Sequence, residues 1–240
     1  MDAGKRTVND IFNGSRMLEI PFFQRAYVWG ESQWERMLED MESVSALRKP
    51  YFIGSVILKQ QPTQSTESNG DIRTVIDGQQ RLTTLSILLK VLCLKNGSLP
   101  KFDKRFRLDD NSTVIRHNHI DTAAYSKVME LDTIEDIIGE DNITKAYQYF
   151  VKNLDPDKVS FEAVCNTILL VGIDLNADED EQQIFDTINS LGVRLTTAEL
   201  LKNFFFGRND ITEYKQYWVE LFEKDEETRA YWDTEITTGR

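Results

Sequence analysis

A strand that breaks on Asp-Gly and turns at once into a long apolar helix constrains this chain most. Arg73-Thr74-Val75-Ile76 has strand character and Asp77-Gly78 ends it. From Gln80 the positions Leu82, Leu85, Leu88, Leu89 and Leu92 recur at helical spacing as far as Asn96-Gly97. This order puts the turn at a helix N-terminus, where backbone N–H groups and the helix dipole favour an anion. Gly78 allows close backbone approach to a ligand. Arg81 falls in the first helical turn, an unfavourable place for a cation unless it serves a bound phosphate. Asp77 at the strand end is placed to hold a magnesium ion or orient a water, and Gln79 and Gln80 offer the donors and acceptors that nucleotide recognition needs. Spacing alone equally allows a routine Asp-Gly turn with solvent-facing glutamines.

Around this unit the chain alternates short strands and helices. Thr7 caps a short helix through Phe12 that Gly14 ends, and Met17–Ile20 is extended up to Pro21. Trp34, Met37, Leu38, Met41, Val44 and Leu47 form one helical stripe closed by Pro50, and Tyr51–Leu58 reads as a buried strand. Residues 60–71 lack apolar side chains and form a solvated, hairpin-like connection. A short strand is expected around Arg105–Leu108, helices over 121–154 and Phe161–Asn166, and a buried strand over Thr167–Leu175. Helices over Glu181–Ser190 and Thr197–Phe206 follow, the second announced by the capping box Thr196-x-x-Glu199. The expected organisation is a small α+β core over residues 1–120 and a mainly helical extension with one buried strand over 121–240.

Charge divides unevenly along the chain. Residues 1–120 carry 17 Lys+Arg against 14 Asp+Glu, whereas 121–240 carry 11 against 26, so the net −12 resides in the second half. A phosphate-bearing ligand is drawn to the first half, where Lys101, Lys104, Arg105, Arg107 and Arg116 cluster in sequence, and the second half repels a nucleic-acid backbone. No apolar run approaches the roughly 20 residues that span a bilayer, and no signal-like stretch follows Met1, so no membrane partner and a cytoplasmic setting are expected. Cys93 and Cys165 sit singly in apolar segments and read as reduced core residues. His117-Asn118-His119 with Asp121 is not expected to hold a metal. The chain has no Gly-x-x-x-x-Gly-Lys-Ser/Thr loop, so a triphosphate would not be held by a P-loop.

Val75-Ile76-Asp77-Gly78-Gln79-Gln80-Arg81-Leu82-Thr83-Thr84-Leu85 resembles the signature of the domain of unknown function 262, the N-terminal part of the GmrSD family. Three further segments resemble the same family in the same order: Ile20-Pro21-Phe22-Phe23-Gln24-Arg25-Ala26-Tyr27-Val28-Trp29, Tyr51-Phe52-Ile53-Gly54-Ser55, and Phe185 to Thr196. The resemblance implies a ParB/sulfiredoxin-like core followed by helices, in a type IV, modification-dependent anti-phage restriction protein. It implies nucleoside triphosphate binding and hydrolysis at the Asp-Gly-Gln-Gln-Arg segment, coupled to cleavage of modified phage DNA. Carried over, Asp77, Gln80 and Arg81 become the catalytic candidates, with Mg2+ at Asp77, and Gly78 and Gln79 nucleotide contacts. Gln24, Arg25, Asn189 and Arg194 are further nucleotide-binding candidates, while Lys202 and Asn203 are read as structural. For Arg25 an ion pair with an acid, with Tyr27 and Trp29 filling the core, stands beside the ligand reading. Family members commonly continue into a nuclease domain; nothing of that length follows residue 203, so cleavage is expected from a domain outside this chain. The competing class is a DNA-binding or ParB-like nuclease module without triphosphatase activity. A homodimer is expected from base rates alone.

Overall fold

A computed structural model describes residues 2–61, 71–178, 202, 205–206, 210–225 and 227–228. The order is β1 (Asp2–Thr7), α1 (Val8–Ile11), β2 (Arg16–Glu19), α2 (Glu31–Leu47), β3 (Tyr51–Gln60), β4 (Asp71–Asp77), α3 (Gln79–Lys95) and α4 (Leu99–Phe106). There follow β5 (Ile115–Arg116), α5 (Thr122–Met129), α6 (Asn142–Asn153), α7 (Phe161–Thr167) and β6 (Ile168–Leu175). A last helical run comprises α8 (Ile211–Glu213), a π-helix (Tyr214–Val219) and α9 (Glu220–Phe222).

Local chemistry sets these boundaries. Thr7 caps α1 reciprocally with Asp10, each side chain bonding the other's backbone N–H. Gln33 accepts from the Gly30 N–H at the start of α2, and Arg48 in the left-handed region ends that helix two residues before Pro50. The expected strand at Arg105–Leu108 is corrected: these residues follow or complete α4. Pro100 fits the first turn of that helix, and Phe102 and Phe106, four apart, bury one face with their rings stacked 4.4 Å between centroids. Of the strand only a single bridge between Arg107 and Thr113 remains.

The six strands form one mixed sheet in the order β1-β6-β3-β4-β2-β5. β1 and β6 pair antiparallel, as do β3 and β4, and the other neighbours are parallel. β6 therefore belongs between β1 and β3, although residue 120 was the expected end of the core. Contacts group the chain into a first unit of residues 1–20 and 26–179 and a second of 21–25 and 180–240.

In the first unit, α3 is the central helix. Every residue from Leu82 to Cys93 is buried, so the helix packs on all sides rather than along one stripe. Its polar members have internal partners: Tyr27 Oη lies 2.6 Å from Thr84 Oγ1, Tyr125 Oη 2.9 Å from Ser86 Oγ, and His117 Nε2 3.2 Å from Thr83 Oγ1. At the sheet end away from the Asp77 turn, Arg6 binds Asp174 and Arg16 and Arg73 bind Asp71, so ion pairs cross several strands. Cys93 and Cys165 are free and buried, and desolvation pushes the Cys165 thiol up to about 12.

The second unit, by itself, has a small aromatic core. Phe23, Tyr214 and Trp218 are buried, with Phe22, Phe206 and Phe222 against them. Glu223 accepts from Lys202 Nζ, Tyr214 Oη and Trp218 Nε1, so this buried carboxylate is paired and hydrogen-bonded. Lys202, read as structural, is ion-paired with Glu223 inside this unit. The helix expected over Glu181–Ser190, most of Thr197–Phe206, and residues 62–70 of the connection lie outside the described residues.

Candidate functional site

The turn between β4 and α3 is built against one short stretch of β3. Gly78 is the N-cap of α3 in the left-handed region, with φ of 97° and no side-chain cap. A Cβ there would stand 3.0 Å from the Ser55 carbonyl oxygen and 3.3 Å from Val56 Cα, so glycine is needed for β3 to pass this closely. Ser55 then ties both ends of the motif: its Oγ donates to Asp77 Oδ2 at 2.9 Å, and its carbonyl accepts from Arg81 Nη1 at 2.6 Å. The Arg81 guanidinium lies over Gly54, where φ is 125° and a Cβ would meet Arg81 Cζ at 2.8 Å. Asp77 and Arg81, four residues apart, are held through Ser55 on one side of the turn. Asp77, Gln79 and Arg81 are half-buried, which leaves the guanidinium and carboxylate in part open to a ligand.

Gln80 faces the other way. It is buried, its Oε1 accepts from Val28 N at 2.9 Å and Trp29 N at 3.3 Å, and its Nε2 donates to the Ala26 carbonyl at 3.0 Å. Two more side chains hold the same extended segment. Tyr27 N donates to Asp121 Oδ2 at 2.8 Å, and Asn142 Nδ2 donates to the Tyr27 carbonyl at 3.3 Å. Trp34 Nε1 donates to Tyr27 Oη at 2.8 Å, fixing the ring. Five backbone groups of residues 26–29 are therefore satisfied by side chains instead of a ladder partner.

Three of the four segments singled out in the sequence contribute residues to this assembly in the first unit: Ala26–Trp29, Gly54-Ser55 and Asp77–Arg81. Gln24 and Arg25 fall in the second unit, where Gln24 N donates to the Pro21 carbonyl. Asn189 and Arg194, with Asn203, lie outside the described residues. The basic cluster is partly engaged inside the fold: Arg105 bonds Asn9 and Glu162, and Arg107 bonds Asp103 and the carbonyls of Asn111 and Met129. Lys101 and Lys104 are exposed.

Asp121 and Asn142 are the residues that sequence reasoning missed as supports of the site. One signal did exist: Thr83, Thr84, Ser86 and Lys90 are polar positions in a helix whose leucines leave no polar face. Buried polar groups on such a helix require partners elsewhere, and His117, Tyr27 and Tyr125 supply them for the three hydroxyls. Among the described residues no group of three or more His, Cys, Asp or Glu side chains is arranged to hold a metal. No helix among them is long and apolar enough to cross a membrane.

No match was found among curated proteins. The model of the GmrSD restriction endonuclease N-terminal domain matches residues 8–206, which takes in all four segments and the turn just described. With most of the chain covered, the protein belongs to the GmrSD N-terminal domain family, which is associated with modification-dependent restriction systems.

Proposed function

We propose that this chain is the nucleoside-triphosphate-binding and hydrolysing module of a modification-dependent anti-phage restriction system acting in the cytoplasm on a ParB/sulfiredoxin-like core. In this reading it couples the nucleotide to cleavage of modified DNA by a nuclease domain outside the chain. The observation that carries the reading is Ser55 holding Asp77 and Arg81 together on one side of a glycine-capped helix start. An anion there meets the first N–H groups of α3 and the guanidinium of Arg81, which uses one of its five donors on Ser55. Asp77 alone is too few ligands for a metal, but Mg2+ is commonly held by one or two carboxylates together with substrate phosphates and waters. A donor set of this kind fits Mg2+ arriving with its nucleotide, and the metal would supply charge neutralisation on the phosphates. Gly78 and Gln79 line the same turn. Gln80 contributes by fixing residues 26–29, and Gln24, Arg25, Asn189 and Arg194 remain proposed nucleotide contacts.

Thermal stability with each of the four ribonucleoside triphosphates plus Mg2+ tests this, on the wild type, Asp77→Ala and Arg81→Ala. At about 100 times the dissociation constant, linkage gives roughly 2.7 kcal/mol of stabilisation, a shift of roughly 5–11 °C for a chain of this size. One nucleotide is expected to stabilise the wild type and neither folded variant. No shift with any nucleotide would remove the triphosphatase reading and leave DNA binding as the activity to pursue.

A further inference from the structure

Asp121 is a buried carboxylate without a strong cation. It is 8% exposed, and among the described residues the one basic group within 4 Å is His117, whose Nδ1 lies 3.9 Å from Asp121 Oδ2. An uncompensated buried charge is costly, and a neutral asparagine would accept from Tyr27 N equally well. A carboxylate in this place therefore calls for a role that uses its proton.

The hydrogen bonds around His117 define that role. Thr83 Oγ1 donates its hydrogen to the Gln79 carbonyl at 2.8 Å, so towards His117 Nε2, 3.2 Å away, it accepts. The network thus assigns the ring hydrogen to Nε2 and leaves a bare lone pair on Nδ1, which has no hydrogen-bond partner and faces Asp121. His117 is almost fully buried and stays neutral, its pKa lowered to about 3 by desolvation.

We propose that Asp121 is a positioning residue for the candidate site, a proton-operated latch on residues 26–29. Ionised, the carboxylate accepts from Tyr27 N and the segment stays docked on Gln80. A proton taken up from solvent makes Asp121 a neutral acid, whose O–H has an acceptor waiting in His117 Nδ1 after a small rotation. That rotation withdraws Oδ2 from Tyr27 N. Because Gln80 is joined to Ala26, Val28 and Trp29, the change reaches the first turn of α3. Burial moves the Asp121 pKa up to about 6, with the negative Asp141 adding to the shift and the Tyr27 and Asn118 hydrogen bonds opposing it. The titratable groups around the carboxyl are His117 on its own loop, the Tyr27 phenol, Tyr125 of α5 against the His117 ring, and Asp141 at the start of α6. Both tyrosines are raised by burial and stay neutral through this range.

The inference rests on reading the turn as a functional site, but its test needs no nucleotide, so the two can fail separately. The experiment is an NMR pH titration of the full chain from 4.5 to 8, following the Asp121 carboxyl, the Tyr27, Val28 and Trp29 amides, and the Gln80 side-chain amide. All are expected to move with one midpoint near pH 6. In Asp121→Asn the amides of residues 27–29 and of Gln80 are expected to stay flat across that range. The wild-type titration is decisive even if the variant folds poorly. Absence of an Asp121 titration between pH 5 and 7 would overturn the proposal. So would a titration that leaves Val28, Trp29 and Gln80 unmoved, or one that persists in folded Asp121→Asn.

Discussion

Replacing Gln80 by alanine separates a supporting role for this side chain from a purely chemical one. The truncation strands three backbone groups: the N–H groups of Val28 and Trp29, which share Oε1, and the carbonyl of Ala26. A buried donor or acceptor left without a partner costs about 1–3 kcal/mol. Val28 is half exposed, so water reaches part of this segment and the full sum does not apply. A loss of about 2–4 kcal/mol follows, a large share of the roughly 5–15 kcal/mol that holds a domain together. With a urea slope of about 1–3 kcal/mol/M, the unfolding midpoint should fall by about 0.7 M or more. Urea titration followed by both tryptophan fluorescence and far-UV circular dichroism measures this. Gln80→Glu retains the acceptor for both N–H groups but sets a buried carboxylate oxygen against the Ala26 carbonyl, so it should destabilise as well. A change below about 0.5 kcal/mol for Gln80→Ala would refute the reasoning, because it would mean that residues 26–29 do not depend on this amide.

Gly54→Ala places a Cβ against the Arg81 guanidinium at a backbone φ that L-residues avoid, so it should destabilise by about 1–3 kcal/mol and displace Arg81. Urea unfolding checks the first effect, and loss of nucleotide-induced stabilisation checks the second. Lys90 is buried beside the Phe102 ring with no carboxylate in ion-pair range among the described residues, and burial lowers its pKa. Lys90→Met should therefore leave the unfolding midpoint unchanged or raise it. Both thiols are buried with raised pKa values, so a disulfide reagent should label native protein slowly and urea-unfolded protein fast, as read by absorbance at matched pH.

Periodicity and punctuation carried much of the fold in the sequence. The leucines of α3, the α2 stripe from Trp34 to Val44 and the Asp77-Gly78 break reappear, because each is a local signal set by side chains within one or two turns, whereas Leu47, read as the last member of the α2 stripe, is exposed at the end of that helix. The partners of α3 were not legible, since Thr84 meets Tyr27 and Thr83 meets His117 across 57 and 34 residues of chain. Arg105–Leu108 was misread because Phe106 alternates with arginines locally, whereas its true partner is Phe102 on a helix begun by Pro100. At the site, the motif named Asp77, Gly78 and Arg81, but their common dependence on Ser55 and Gly54 follows only from β3 lying beside the turn. Gln80 shows the same limit: a glutamine in a ligand-like motif and one that satisfies backbone groups look alike until the segment it faces is known.

The central claim, that the Asp77–Arg81 turn holds a triphosphate, is tested most directly by equilibrium binding of the stabilising nucleotide with Mg2+ to wild type and Arg81→Lys. Lysine keeps the charge and loses the planar fork that pairs with phosphate bidentately. Urea midpoints measured in parallel establish that the variant is folded. The account predicts saturable binding to the wild type, weakened about tenfold or more in folded Arg81→Lys, as expected for the loss of a charge-assisted hydrogen bond worth about 1.5–3 kcal/mol. Equal affinity in the two proteins, or no binding to a folded wild type, would contradict it.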